Sequence, residues 1–237
     1  MDGTRIVKAR ALLAAFALAA SAHAHAAGEP LLIEAYGDST TLGISCIDKH
    51  CAPRADNAVT FLQSELSARF GQHVVVSNLG VGGTMAQQLL DGTDRRGSVA
   101  WTERIRRSSA RIVMFNYGIN EVMHSQTPEQ FYAAETALVR AALASGKLPV
   151  LATSNPMLDK RLNAQLAQMA AMTRRVAAEA HVPLIDQYAY VSSLPDWQHG
   201  MSDGAHPTAA LYRLKAERDF TVLEPIVDRL IDKPART

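Results

Sequence analysis

Short, nearly continuous apolar runs alternate along the chain with longer segments of helical periodicity. Such runs are typical of parallel strands buried on both faces of a sheet, because a half-exposed strand would alternate apolar and polar residues. They predict five strands, at residues 31–35, 73–77, 112–116, 150–153 and 183–185. Strands that alternate with helices are joined by right-handed crossovers, so the pattern predicts one α/β domain with helices on both faces of a parallel sheet.

Four segments carry the helix signals of this pattern. Residues 59–70 place their valine, leucines and terminal phenylalanine on one helical face, before a glycine that acts as a stop. Thr127, Pro128 and Gln130 combine an N-cap, a proline at the first helical position and a capping-box glutamine, and predict a helix that runs to residue 146. An apolar stripe over residues 162–180 and the segment from residue 207 to about residue 232 predict the other two helices.

The first 27 residues have the pattern of a secretory signal peptide. Arg5, Lys8 and Arg10 precede the apolar run 11–20, and small residues at 22 and 24 have the spacing that a signal peptidase cleaves. A membrane anchor is the other interpretation, but this alanine-rich run is short for a membrane span. The pattern predicts an exported protein, in a bacterial periplasm or secreted, with residues 28–237 as the mature domain and no stable membrane insertion.

Composition and charge exclude several classes of protein. The 237 residues are 48% apolar and 20% charged, with a formal net charge of +1, which is typical of a globular domain. No basic run is present to bind the phosphates of a nucleic acid, so no nucleic-acid partner is expected. The histidines show no spacing typical of a metal site, and no metal is expected.

The two cysteines lie five positions apart in a chain predicted to be exported. An oxidising compartment favours a disulfide between Cys46 and Cys51, which would close a small loop shortly after the first strand. Two free thiols are the alternative. A redox-catalytic pair has two intervening residues rather than four, so that interpretation is set aside.

Reactive and polar side chains follow the predicted strands at their carboxyl ends. Ser39 comes after the first strand, Gly83 after the second and Asn120 after the third, while Asp203 and His206 precede the last helix. Because sites in open parallel sheets form at the carboxyl ends of strands, these residues are expected at one rim. A serine hydroxyl needs a base to become a nucleophile, and an imidazole oriented by a carboxylate is such a base.

The same rim offers donors for a negatively charged oxygen. The backbone N–H groups of Ser39 and Gly83 and the side-chain amide of Asn120 are candidates for stabilising the oxyanion formed in acyl transfer. Glycine at position 83 lets a substrate approach the backbone closely.

These motifs, taken in order, resemble those of the SGNH hydrolases, also called GDSL esterases and lipases. The resemblance covers about residues 31–215 and rests on four blocks, at residues 37–39, 78–84, 118–120 and 203–206. It implies a flavodoxin-like three-layer α/β/α fold with five parallel strands, and ester hydrolysis through an acyl-serine without a metal or organic cofactor. Ser39 matches the nucleophile, Gly83 and Asn120 the oxyanion donors, and Asp203 and His206 the acid–base pair. Glu121 departs from the family pattern, which has aspartate at that position.

The resemblance predicts an exported serine esterase. Expected substrates are small-molecule or carbohydrate acyl esters with short acyl groups, such as carbohydrate O-acetyl, and residues 40–54 and 155–161 are expected to select among them. An acyltransferase, a lysophospholipase or thioesterase, and a non-catalytic carbohydrate-binding module on the same scaffold stay open as alternatives. The sequence leaves the oligomeric state open.

Overall fold

The computed structural model describes residues 29–231, and the predicted signal peptide, residues 1–27, lies outside that range. The strands are β1 (Leu31–Gly37), β2 (Ile44–Ile47), β3 (His50–Pro53), β4 (Val74–Asn78), β5 (Ile112–Tyr117), β6 (Leu148–Thr153) and β7 (Leu184–Ile185). The α-helices are α1 (Ser39–Leu42), α2 (Ala58–Phe70), α3 (Ala86–Asp91), α4 (Trp101–Arg107), α5 (Ile119–Met123), α6 (Pro128–Ala144), α7 (Lys160–Ala180), α8 (Gln187–Ser193) and α9 (Ala209–Ile231). Two short 3-10 helices span Gly71–His73 and Trp197–Gly200.

Five strands form one parallel sheet in the order β4-β1-β5-β6-β7. Strand β1 is central to the register, because Ile33 pairs with Val76 of β4 on one side and with Ile112 of β5 on the other. The chain leaves β1 for β4 on one side and then crosses back to β5, which makes the carboxyl end of β1 the switch point where ligands bind in such sheets.

Helices cover both faces of this sheet and give the predicted three-layer α/β/α sandwich. Neighbouring residues of β5 point to opposite faces, with Ile112 and Met114 on one side and Val113 and Phe115 on the other. The first face packs against α2 and α9, and the second packs against α3, α4, α6 and α7. Because both faces of the sheet are buried, the sequences of these strands are nearly continuous apolar runs.

The ends of the predicted elements differ from the observed ones by at most two residues. The second strand of the parallel sheet begins at Val74, because His73 ends a 3-10 turn. The last helix begins at Ala209 rather than Pro207, since Pro207 forms an isolated bridge with Met201. The predicted cap of α6 is present: Thr127 Oγ1 accepts a hydrogen bond from Gln130 N at 3.2 Å.

An antiparallel hairpin, β2–β3, stands outside the parallel sheet and was not predicted. In it Cys46 lies directly opposite Cys51, and the two residues form the predicted disulfide. Among residues 29–231, no helix has both the length and the apolar composition of a membrane-spanning segment.

Candidate active site

Ser39 occupies the first position of α1, at the sharp turn that follows β1. Asp38 caps this short helix, and its Oδ1 accepts hydrogen bonds from the backbone N–H and the hydroxyl of Thr40 at 2.8 and 2.9 Å. The turn requires glycine at position 37, because a Cβ there would lie 2.1 Å from Thr41 Oγ1 and 2.7 Å from the Asn116 carbonyl oxygen. The glycine thus allows the chain to place Ser39 at the carboxyl end of β1.

His206 contacts Ser39 although 167 residues separate them in the chain. The imidazole Nε2 lies 2.9 Å from Ser39 Oγ, and Nδ1 lies 2.7 Å from Asp203 Oδ2. Because an ionised carboxylate only accepts hydrogen bonds, the proton is assigned to Nδ1, which leaves Nε2 free to accept from the serine hydroxyl. The fold therefore brings the predicted nucleophile, base and carboxylate into one hydrogen-bonded row.

A tight turn fixes the carboxylate of this row. Asp203 Oδ1 accepts from the backbone N–H of Ala205 at 2.8 Å and from that of His206 at 2.6 Å. Partial burial acts to raise the pKa of the Asp203 carboxyl, but the hydrogen bonds from His206 and Ala205 outweigh it and leave that pKa lowered. Asp203 is accordingly ionised at neutral pH and holds His206 in the tautomer that can act as a base.

The glycine loop after β4 packs against the serine. A Cβ built on Gly82 would lie 3.7 Å from Ser39 Cβ, and the next residue, Gly83, has a φ of 74°. This left-handed conformation strains any residue with a side chain, which is a physical reason for glycine there. Within residues 29–231, the backbone N–H groups of Ser39 and Gly83 have no hydrogen-bond acceptor, so both are available to a substrate oxygen.

Asn120 lies near the same rim on the first turn of α5. Its Nδ2 donates to the Thr84 carbonyl oxygen at 3.0 Å and lies 3.5 Å from Asp38 Oδ2. One of the two amide protons is thus firmly bound to the loop that carries Gly83, and the other is held only at the limit of hydrogen-bond distance. That second proton is the one that Asn120 can offer to a substrate.

Glu121, the departure from the family pattern, is fully buried behind Asn120. Its Oε1 accepts from Ala86 N at 2.7 Å and its Oε2 accepts from Gly118 N at 2.8 Å. Burial raises the pKa of Glu121 to about 7, although the backbone hydrogen bonds act in the opposite direction. The glutamate side chain therefore ties the loop of Asn120 to the start of α3.

A buried pair, Lys215 and Asn155, supports the loop that carries His206, and the sequence analysis did not predict this pair. Lys215 of α9 donates from Nζ to Asn155 Oδ1 at 2.7 Å, and Asn155 Nδ2 donates to the Ala205 carbonyl oxygen at 3.0 Å. Burial lowers the pKa of Lys215 to about 8, while the nearby carboxylates of Asp219 and Asp38 act to raise it. Lysine is rarely buried, so nothing in the sequence distinguishes Lys215 from a surface residue.

Few potential metal ligands lie close together in the described part of the chain. Between residues 29 and 231, a single group of three potential ligands converges, formed by Cys46, Cys51 and Asp203. The two sulfur atoms are bonded to each other and offer no thiolate. This group therefore does not match a zinc site in its oxidised form.

Several solved structures share this fold at low sequence identity. An alpha/beta hydrolase enzyme from the metagenome of Lake Arreo, Spain, superposes with a TM-score of 0.66 at 18% identity, over 83% of this chain and 96% of its own. A catalytic mutant of an acetylxylan esterase from Geobacillus stearothermophilus gives 0.65 at 16% identity, over 83% and 95%. The native aryl esterase of M. smegmatis gives 0.63 at 17% identity, over 85% and 99%. No curated protein matches the chain.

A family model extends over most of the chain and includes Ser39, Gly83, Asn120, Asp203 and His206. The model of the GDSL-like lipase/acylhydrolase family matches residues 35–214, from β1 to the last helix. The fold and the order of the four motifs agree with that match. The chain therefore belongs to the GDSL-like lipase/acylhydrolase family and is an SGNH-type carboxylic ester hydrolase.

Proposed function

We propose that this protein is an exported serine esterase in which Ser39 is the nucleophile, His206 the general base and Asp203 the residue that orients the imidazole. The row from Ser39 Oγ through the imidazole to Asp203 Oδ2, with spacings of 2.9 and 2.7 Å, carries the proposal. Each distance is within the reach needed for proton transfer or for fixing the tautomer. Membership of the family indicates the class of reaction, and the distances in this row support the role proposed for each residue.

The reaction follows from the positions of these groups. Ser39 Oγ attacks the ester carbonyl carbon while His206 Nε2 takes the hydroxyl proton, and the carbonyl π electrons move to the oxygen. The imidazolium then gives that proton to the departing alcohol oxygen, which leaves an acyl-serine. A water molecule attacks the acyl carbon in the same way, with His206 again as the base. The bond between that carbon and Ser39 Oγ then breaks, the imidazolium returns the proton to Oγ, and the carboxylic acid leaves.

Three donors stabilise the oxyanion of each tetrahedral intermediate. The backbone N–H groups of Ser39 and Gly83 have no protein acceptor among the described residues, and Asn120 Nδ2 holds its second proton only weakly. Donors that are already aligned before the reaction stabilise the developing charge without reorganisation. The contribution of Asn120 depends on the bond to Thr84 that orients its amide.

Short acyl groups, such as the O-acetyl groups of carbohydrates, are the proposed substrates. One of the similar structures is an acetylxylan esterase, which acts on such a group. No connecting segment of the described chain is longer than residues 92–100, whereas lids over active sites are commonly longer. An open site of this kind favours small acyl groups on an exposed alcohol.

Export is proposed on the features of residues 1–27 together with the disulfide. The basic start, the apolar run and the small residues at 22 and 24 make a secretory signal. The disulfide between Cys46 and Cys51 supports this location, because such bonds persist mainly in oxidising compartments.

Hydrolysis of p-nitrophenyl esters from acetate to octanoate by purified protein tests the proposal, with Ser39→Ala as the matched control. We expect kcat/KM to fall steeply as the acyl chain lengthens, and activity to be lost in Ser39→Ala. A serine-directed organophosphate should add once, at Ser39. Undiminished activity in the variant would refute the nucleophile, a preference for octanoate would refute the short-acyl proposal, and acyl transfer to added sugars would indicate the acyltransferase.

A further inference from the structure

The disulfide hairpin β2–β3 packs against the loop that carries Asp203 and His206. Cys46 donates its backbone N–H to Ser202 Oγ at 2.9 Å, and the Ser202 hydroxyl donates to the His206 carbonyl oxygen at 3.0 Å. At the start of the hairpin, the Tyr212 hydroxyl donates to the Ile44 carbonyl oxygen at 2.7 Å. The hairpin is therefore held at two points beside the catalytic row, which is formed by Ser39, His206 and Asp203. The strands of the parallel sheet take part in neither of these two contacts.

The disulfide itself touches the carboxylate of the row. Cys46 Sγ lies 3.1 Å and Cys51 Sγ lies 3.9 Å from Asp203 Oδ2. This is the same oxygen that accepts the hydrogen bond from His206 Nδ1 at 2.7 Å. A disulfide sulfur carries no proton, so Oδ2 receives a hydrogen bond from the imidazole and none from the sulfur that covers its other side.

We propose that the Cys46–Cys51 disulfide is a positioning element of the catalytic row, which limits the rotation of the Asp203 carboxylate and keeps proton donors away from Oδ2. The proposal rests on the roles proposed above for Asp203 and His206. Among the described residues the two cysteines have no hydrogen bond to Ser39, and the proposed effect acts through Asp203.

Reduction changes the chemistry of this contact as well as the stiffness of the hairpin. The disulfide takes up two electrons and two protons from a reductant and becomes two thiols. The Cys46 thiol then lies within reach of Oδ2 as a weak donor and competes with His206 Nδ1. A weaker bond to Asp203 stabilises the imidazolium less, so kcat should fall and the acid limb of the pH–rate profile should move to lower pH.

Two single variants separate the loss of the hairpin's stiffness from the gain of a thiol donor beside Asp203. Cys51→Ala and Cys46→Ala both lose the disulfide, but the thiol that remains lies at the 3.1 Å position from Asp203 Oδ2 in Cys51→Ala and at the more distant 3.9 Å position in Cys46→Ala. We expect kcat/KM to be highest in the oxidised protein, lower in Cys46→Ala and lowest in Cys51→Ala. The kcat/KM values of the two variants should differ by about fivefold, which is the effect of one modest hydrogen bond. The acid limb should move furthest in Cys51→Ala.

Reduction of the unmodified protein by a phosphine, which is oxidised to its oxide, gives the same thiol without a mutation and serves if Cys51→Ala does not fold. Its kcat/KM should fall towards that of Cys51→Ala, whereas Cys46→Ala/Cys51→Ala should not respond to the phosphine. Circular dichroism and thermal unfolding identify the folded variants. Equal activity in the two single variants with an unmoved acid limb, or full activity after reduction, would overturn the positioning role. Oxidised protein without Ser39-dependent activity would instead refute the proposed function.

Discussion

Glu121 Oε1 accepts a hydrogen bond from the backbone N–H of Ala86 at 2.7 Å and so joins two loops of the proposed oxyanion site. Ala86 starts α3, directly after the loop that carries Gly83, while Glu121 immediately follows Asn120. The second carboxylate oxygen accepts from Gly118 at the end of β5. The buried carboxylate of Glu121 and the bond from Asn120 Nδ2 to the Thr84 carbonyl oxygen therefore both hold together the loops of two proposed oxyanion donors, Gly83 and Asn120.

This bridge predicts a pH-dependent contribution to stability. Burial raises the pKa of Glu121 to about 7, above the ordinary value that the group has in the unfolded chain. The folded state then binds the proton more tightly, so the stability that Glu121 contributes is fully present below about pH 4.5 and is lost as the pH rises through about 7. Glu121→Gln cannot titrate and should lack this part of the pH dependence.

Urea unfolding of both proteins between about pH 5 and pH 8 measures the effect. The free energy of unfolding of the unmodified protein, minus that of Glu121→Gln, should decrease across this interval. The buried carboxyl of Asp219 also has a raised pKa, but Glu121 is not among the groups that act on it, so its contribution is the same in both proteins and cancels in the difference. Parallel pH profiles would show that Glu121 does not titrate in this range.

Asn155 is expected to matter both to stability and to catalysis. Asn155→Ala removes the acceptor of the buried Lys215 ammonium and the donor to the Ala205 carbonyl oxygen. Leaving a buried polar group without a partner costs about 1–3 kcal/mol, so the free energy of unfolding should fall by that amount and kcat should fall as the His206 loop loosens.

Asn155→Asp distinguishes the two roles of this side chain. The carboxylate still accepts from Lys215 but cannot donate to Ala205, so stability should be better preserved than in Asn155→Ala while kcat stays low. Chemical unfolding and steady-state kinetics on the three proteins provide the comparison. Full kcat in Asn155→Asp would show that the bond to Ala205 does not position the loop.

Asn120→Ala should mainly lower kcat. Removal of one oxyanion donor costs about 10²–10³ in kcat, and KM should change little because the interaction strengthens in the transition state. His124→Ala is a suitable control, since His124 is exposed and, among residues 29–231, its side chain makes one hydrogen bond, between Nδ1 and the Asn120 backbone carbonyl oxygen at 2.8 Å. A kcat for Asn120→Ala within a few-fold of the control would remove Asn120 from the oxyanion site.

The strands and the reactive residues were predictable because their signals are local. A strand buried on both faces reads as an apolar run, and the turns after β1 and β5 place Ser39 and Asn120 directly behind such runs. The disulfide was predictable because the chain is predicted to reach an oxidising compartment and the two cysteines are close in sequence. The hairpin around it was not predictable, because β2 and β3 are short and mostly polar at their turn.

The supports of the site were not predictable, for three physical reasons. Lys215 lies 60 residues from Asn155, and only the packing of α9 brings them together. The partners of Glu121 are backbone N–H groups, which carry no sequence signal. The contact of Cys46 with Asp203 joins residues that are 157 positions apart and depends on where the hairpin docks.

The central claim is that Ser39 and His206 act as one catalytic unit, and a double-mutant cycle on ester hydrolysis tests it most directly. Ser39→Ala and His206→Ala should each lower kcat by at least about 10³-fold in folded protein, and the double variant should be little worse than either single one, because each change already removes the activated nucleophile. Losses that multiply in the double variant, or either single variant keeping more than about a tenth of the activity, would contradict the account.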